Sequence, residues 1–148
     1  MQVIGFNFTK ISATRDKEIK NPSINTNISF IEIEKEKLEL VKDKEALRLD
    51  YKFVVTYQDS EQLDKAKDKS KVPSQAEVNF EGNIILLTEE EESKEIIKSW
   101  KKKELLTQFR MPLFNLILKK CSAKALSLQE ELNMPSHIPI PQVTQKKE

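Results

Sequence analysis

Six apolar residues at every second position, Leu47, Leu49, Tyr51, Phe53, Val55 and Tyr57, alternate with Arg48, Asp50, Lys52, Val54 and Thr56 over eleven residues. A period of two puts all six side chains on one face of an extended strand, and a helix cannot reproduce that segregation. This stretch therefore commits the chain to a sheet with one covered face. The aromatic members Tyr51, Phe53 and Tyr57 read first as core and second as a recognition surface.

Three more segments supply strands. Ile4, Phe6 and Phe8 share one parity over residues 3 to 11, with Asn7 and Thr9 opposite. Ile24, Ile28 and Phe30 share a parity over residues 24 to 34, whereas Ile31 and Ile33 take the other, which predicts a strand apolar on both faces near its end. Ala76, Val78, Phe80, Ile84 and Leu86 mark the fourth strand, with Gly82 at a bulge or a close approach. Lys35 to Glu45 read as a charged hairpin region with its turn at Val41 to Lys44, and residues 58 to 75, polar and Lys-rich, as a long mobile loop.

After the strands the period changes. Thr88 to Glu91 form a capping box that opens a short helix bearing Ile96, Ile97 and Trp100, with Lys101 to Lys103 suited to its C-terminal end. A second helix is expected from Met111-Pro112, where proline suits the first turn, through Cys121 to about Leu126 or beyond. Its first turns are apolar nearly all round, which predicts burial by the sheet and by a second subunit through Leu113, Phe114, Leu116, Ile117 and Leu118. Met134 to Pro141 form an extended proline segment, and Thr144 to Glu148 a frayed tail. The expected fold is α+β, a four-stranded antiparallel sheet followed by two helices, as a single domain over residues 1–143 of 148.

Composition then removes function classes. Lys+Arg total 25 and Asp+Glu 24, a net charge of +1, without the basic excess of a general nucleic-acid binder. Gly5 and Gly82 are the two glycines and stand alone, so no phosphate-cradling loop is present. Cys121 and His137 are too few for a closed zinc site, so no metal and no cofactor are expected. Cys121 reads as a small buried hydrophobe and His137 as a surface or packing residue rather than a nucleophile and its base. Glu89 to Glu92 and Glu130-Glu131 read as capping and solvation, and Lys101 to Lys103 and Lys119-Lys120 as solvated faces. No catalytic residue and no enzyme is expected. The sequence opens without a basic leader, and its densest apolar run, Leu113 to Leu118, is far short of the ~20 residues that span a bilayer. The expectation is a cytoplasmic protein that does not insert into membranes.

Three local features, in this order of elements, resemble the SecB export-chaperone family. Phe6-Asn-Phe8-Thr-Lys-Ile11 is similar to its opening strand, and Pro22-Ser-Ile24-Asn25-Thr26-Asn27-Ile28 to its second. Phe109-Arg-Met-Pro112 resembles its phenylalanine-proline step into the long helix, and Met134-Pro135 with Pro141 resembles the proline loop that follows. The resemblance implies the family's fold, a homodimer or homotetramer, and apolar grooves that hold unfolded polypeptide clients without catalysis. It implies client contacts at Ile24, Thr26, Ile28, Phe30, Ile31, Ile33, Trp100, Ile138 and Ile140, although Thr26 is polar where the family favours an aliphatic residue. Ser122 to Asn133 read as a longer loop than the family has at that point. The family continues into a further helix and an acidic tail that docks on the SecA motor, whereas this sequence ends at Glu148, so the fold is implied more firmly than coupling to an export motor. The competing expectation is an interaction module that holds one partner, such as an antitoxin-like protein.

Overall fold

A computed structural model describes residues 1–37 and 44–146. The chain runs β1 (Gln2–Arg15), β2 (Pro22–Glu36), β3 (Glu45–Asp59), α1 (Ser60–Lys65), a 3-10 turn at Lys69–Lys71, β4 (Ser74–Thr88), α2 (Glu90–Trp100) and α3 (Thr107–Glu131). The strands form one antiparallel sheet in the order β1-β4-β3-β2. This is the expected α+β arrangement of four strands followed by two helices, with α1 as a short insertion. The turn expected at Val41 to Lys44 falls largely outside the described residues.

The alternation that opened the sequence builds the core. Leu47, Leu49, Tyr51, Phe53, Val55 and Tyr57 are all fully buried, joined by Ala76, Val78, Phe80, Ile84 and Leu86 of β4. The helices lie over this face, with α3 touching β2, β3 and β4 and α2 flanking β2 and β3. In α3 the buried residues Phe109, Leu113, Ile117, Cys121, Ala125 and Gln129 recur every four positions. A stripe spaced by four drifts around a helix of 3.6 residues per turn, so α3 crosses the strands diagonally. Its start stacks Phe114 on Phe30 of β2, centroids 5.3 Å apart, and its end reaches Arg15 of β1.

Gly82 is a close approach. The Tyr51 ring crosses over it so that its hydroxyl donates to the Asn7 carbonyl of β1 at 3.2 Å. A Cβ at position 82 would run into that carbonyl oxygen and lie 2.7 Å from Tyr51 Cζ. The neighbouring register shift between Phe8 and Lys10 puts the irregularity in β1 instead.

Several local expectations are corrected. The apparent two-faced end of β2 is a β-bulge between Phe30 and Glu32. The extra residue, Ile31, drops out of register, and Ile33 then faces Leu49 on the buried side with Ile24, Ile28 and Phe30. Residues 58 to 75 are folded rather than a free loop, because Asp59 and Asp68 cap their turns by accepting from Glu61 N and Ser70 N. Thr88 is no helix cap: it still pairs with Glu45 in the sheet, and its hydroxyl donates to the Glu45 carbonyl at 3.3 Å. The cap position passes to Glu89, without a side-chain bond. Helix α3 starts one turn before the expected Met111-Pro112, since burying Phe109 draws Thr107 to Arg110 into it. Pro112 therefore sits inside the helix on its exposed face, where the Gln108 carbonyl that loses its donor faces water. Ser122 to Glu131 belong to this helix and not to a loop.

Candidate functional site

The two outer strands leave the sheet with two free edges, and apolar side chains gather along both flanks. On the β2 flank, Ile24, Ile28 and Phe30 are half-buried against the core, Phe114 stacks on Phe30, Ile31 is 49% exposed and Leu118 of α3 is 40% exposed. On the β1 flank, Phe6 stacks on Tyr51 with centroids 5.1 Å apart, Phe8 meets Phe80 edge-on at 5.7 Å, and Ile11 is 47% exposed. An edge strand presents unpaired N–H and C=O groups, and flanking apolar side chains supply contact area for an added strand.

The residues expected to touch clients divide into three groups. Ile24, Ile28, Phe30 and Ile31 do share the β2 flank, and Thr26 on the same strand is exposed. Ile33 and Trp100 are buried in the core, Ile33 because of the bulge and Trp100 because its indole N–H donates to Glu32 at 3.3 Å while the ring packs inward. Neither offers an open surface. Ile138 is half-buried and Ile140 is 59% exposed on the segment that follows α3. Among the residues expected at an oligomer interface, Leu113 and Ile117 fill the chain's own core. Phe114 and Leu116 are half-buried, so Leu118 is the most open of the five. The apolar run at the start of α3 is thus largely consumed by the sheet beneath it.

Sequence reasoning missed a polar relay at the far end of the covered face. Helix α3 supplies Ser122 and Gln129, β3 supplies Tyr57, and the segment after α3 supplies Pro135 and His137. Ser122 Oγ lies 3.1 Å from His137 Nε2, and His137 Nδ1 lies 3.1 Å from Gln129 Oε1. Gln129 Nε2 donates to the Tyr57 hydroxyl at 2.9 Å, and that hydroxyl donates to the Pro135 carbonyl. Gln129 Nε2 also lies 3.0 Å from His137 Nδ1, so the amide meets the ring through its oxygen or its nitrogen according to the tautomer, and a neutral His137 completes the relay either way. Burial holds the His137 pKa below its usual value, and burial likewise pushes the Tyr57 hydroxyl up, so both stay neutral near pH 7. The ring of His137 also stands edge-on to Phe53, centroids 6.0 Å apart. The one available signal was Gln129 itself, a polar residue in register with the apolar stripe of α3.

Spacing between Ser122 and His137 matches that of a nucleophile and its base. The serine is buried on the helix, however, and an open cleft of about 770 Å³ lies at the other end of α3, lined by Lys98 of α2 and by Lys102, Leu106 and Arg110 beyond it. The arrangement holds a segment down rather than presenting a hydroxyl to a substrate. Cys121 does not meet His137; it is buried beside Tyr51, and desolvation raises its thiol pKa to about 12, which makes it a poor nucleophile. Among the described residues, no group of His, Cys, Asp and Glu is placed to hold a metal ion, and no helix is long and apolar enough to cross a membrane.

No protein-family model matches the chain, and no curated protein matches it significantly. Among solved structures it is similar to a SecB-like chaperone of Mycobacterium tuberculosis, in complex with a peptide from an antitoxin. That likeness has a TM-score of 0.49 at 12% sequence identity, over 99% of this chain and 92% of the other.

Proposed function

We propose that this protein is a non-enzymatic chaperone of SecB-like type that holds extended or unfolded polypeptides along the β2 flank of its sheet. The observation that carries the reading is a free edge strand of 15 residues bordered by the half-buried Phe30–Phe114 stack and by the exposed Ile31 and Leu118. Backbone groups of the edge supply sequence-independent hydrogen bonds, and the apolar border supplies area. Charged residues on the opposite sheet face, such as Arg48 with Glu34, Glu36 and Asp50, keep such a surface soluble. The reading includes a cytoplasmic homodimer or homotetramer, in which several weak flanks act together with avidity.

The alternative is a module dedicated to one partner, of the antitoxin-like kind. The same long edge strand can also pair with a single defined segment. Light scattering of the protein with two or three unrelated, reduced and unfolded proteins separates the readings. A chaperone suppresses aggregation of all of them, and Ile31→Asp with Leu118→Asp reduces that suppression at least about fivefold while both variants stay folded. Aggregation of every client unchanged by the protein would overturn the chaperone reading in favour of the dedicated module.

A further inference from the structure

The segment that follows α3 turns back over the covered face of the sheet, and its fastenings are polar. Arg15 Nη1 donates to the carbonyls of Leu132 and Asn133 at 2.9 and 2.8 Å, Met134 N donates to Gln129 O at 2.8 Å, and Asn133 adopts φ 51° to make the reversal. Beyond this turn Met134 is buried, Pro135 accepts from Tyr57, His137 lies on Phe53, and Ile140 is already in solvent. Tyr57 and Phe53 pair directly with Ile24 and Ile28 of β2, so the segment rests beside the flank assigned to polypeptides. The diagonal course of α3 explains why: the helix leaves β2 as it runs toward β1, and the returning segment fills what it uncovers.

The geometry points to a strap, Met134 to Ile140, that closes this end of the apolar face through the neutral relay of Ser122, His137, Gln129 and Tyr57. Protonation of His137 then releases the strap and opens the surface beneath to extended polypeptide. This inference rests on the polypeptide-binding reading and adds its regulation. The groups facing His137 are Ser122 and Gln129 from α3 and Phe53 from β3, with Tyr57 bonded to Gln129; at the strap's base the Arg15 guanidinium of β1 holds the Leu132 and Asn133 carbonyls. Among the described residues no carboxylate pairs with His137, so an imidazolium in the closed strap would find only the neutral acceptors Gln129 Oε1 and Ser122 Oγ and no opposite charge. The sign follows: the open strap binds a proton more readily than the closed one, so closure is complete above the ordinary histidine pKa and is lost as pH falls below ~6.5. At pH 5.5 the open population rises by at most about tenfold, the factor by which a free imidazole is then protonated. Apparent affinity for a ligand that needs the open strap rises by the same factor.

The test uses the full chain and a fluorescent, extended apolar peptide as probe, with backbone amide exchange of residues 134 to 140 measured in parallel without peptide. The expected result is a Kd several-fold lower at pH 5.5 than at pH 7.5, together with a lower protection factor of the Met134 amide at pH 5.5 once the fall of its intrinsic exchange rate with pH is divided out. His137→Gln, neutral at both pH values, is expected to abolish both pH responses. Gln129→Met, which breaks the relay at constant volume, is expected to raise affinity at pH 7.5 and leave no further gain at pH 5.5. Peptide binding that is equal at both pH values, with Met134 protection unchanged, overturns the strap while leaving polypeptide binding intact. Release of the strap without peptide binding at either pH overturns the polypeptide reading and leaves the switch standing.

Discussion

The two ends of the covered sheet face are closed in opposite ways. At the end where β3 begins, α2 and the start of α3 bring Ile96, Trp100, Phe109, Leu113 and Ile117 onto Leu47, Leu49 and Ile33, a contact that is almost wholly apolar. At the end where β3 finishes, Tyr57, Gln129, His137 and Ser122 make a hydrogen-bond relay under the Met134 to Ile140 strap. Apolar burial is non-directional, scales with area and ignores pH. A buried polar relay holds only while each donor finds its acceptor, and it fails at a single point. The first end is therefore the permanent part of the core, and the second is the part that can open.

The largest effect that tests this contrast is expected in the dry half. Ile117 is fully buried in α3, and Ile117→Ala removes methylenes that the sheet cannot follow. The expected loss is about 2–5 kcal/mol in urea unfolding. The loss should be the same at pH 5.5 and pH 7.5, because the stripe that Ile117 joins is apolar. A loss that shrinks markedly at pH 5.5 would show that the two ends unfold as one polar-dependent unit.

Tyr57→Phe probes the other half and is expected to cost less, about 1–3 kcal/mol. It keeps the ring in the core but leaves the Pro135 carbonyl without its donor and Gln129 Nε2 without its acceptor. Unlike Ile117→Ala, it should loosen the strap out of proportion to global stability. Amide exchange at Met134 should then accelerate well before exchange in β3 and β4. Equal acceleration everywhere would place Tyr57 in the permanent core with Ile117.

The pH profile of the unaltered protein comes next in size. Burial holds the His137 pKa below its usual value, so its neutral form is favoured by the fold and the stabilisation is present above ~6.5. As pH falls below that point the unfolded chain binds the proton first and stability declines. The ceiling is about 1.4 kcal/mol per pH unit, and the half-buried imidazole should deliver a fraction of it. The window from pH 5 to 8 brackets the ordinary histidine pKa, and His137→Gln supplies the background from every other group. A flat melting temperature across that window would contradict the relay's protonation state.

How much of this was legible differs between the same two ends. The dry end was written in period: the parity of β3 placed six side chains, and Ile84, Leu86, Ile96 and Leu113 were apolar residues in the right rhythm. The errors there were of register. The bulge at Ile31 reads in sequence as a strand apolar on both faces, because one inserted residue reverses parity without changing composition. Apolarity all round α3 is partly used by its own fold, since a helix crossing the sheet on a diagonal turns a wider arc of its surface to the core, while Leu118 stays exposed. The polar end was nearly invisible. Ser122, Gln129 and His137 are distant in sequence or ordinary in type, and only the three-dimensional return of the chain at Asn133 brings them together. Thr88 and Glu91 had the spacing of a capping box, but the Glu45 carbonyl competed for the threonine and won.

The smallest expected effect lies outside both ends, on the open face of the sheet. Arg48 reaches Glu34 at 2.7 Å, Asp50 at 3.3 Å and Glu36 at 3.6 Å, so one guanidinium gathers three carboxylates from β2 and β3. The arginine and all three partners are partly or largely exposed, which lets water and salt screen the attraction. Arg48→Ala should therefore cost at most about 1 kcal/mol, most of it recovered at high salt. It should leave Met134 exchange unchanged, since the sheet lies between this cluster and the strap. If Arg48→Ala instead speeds exchange in the strap, the two faces are coupled through β3, and the division between a permanent and an openable end has to be redrawn to include the charged face.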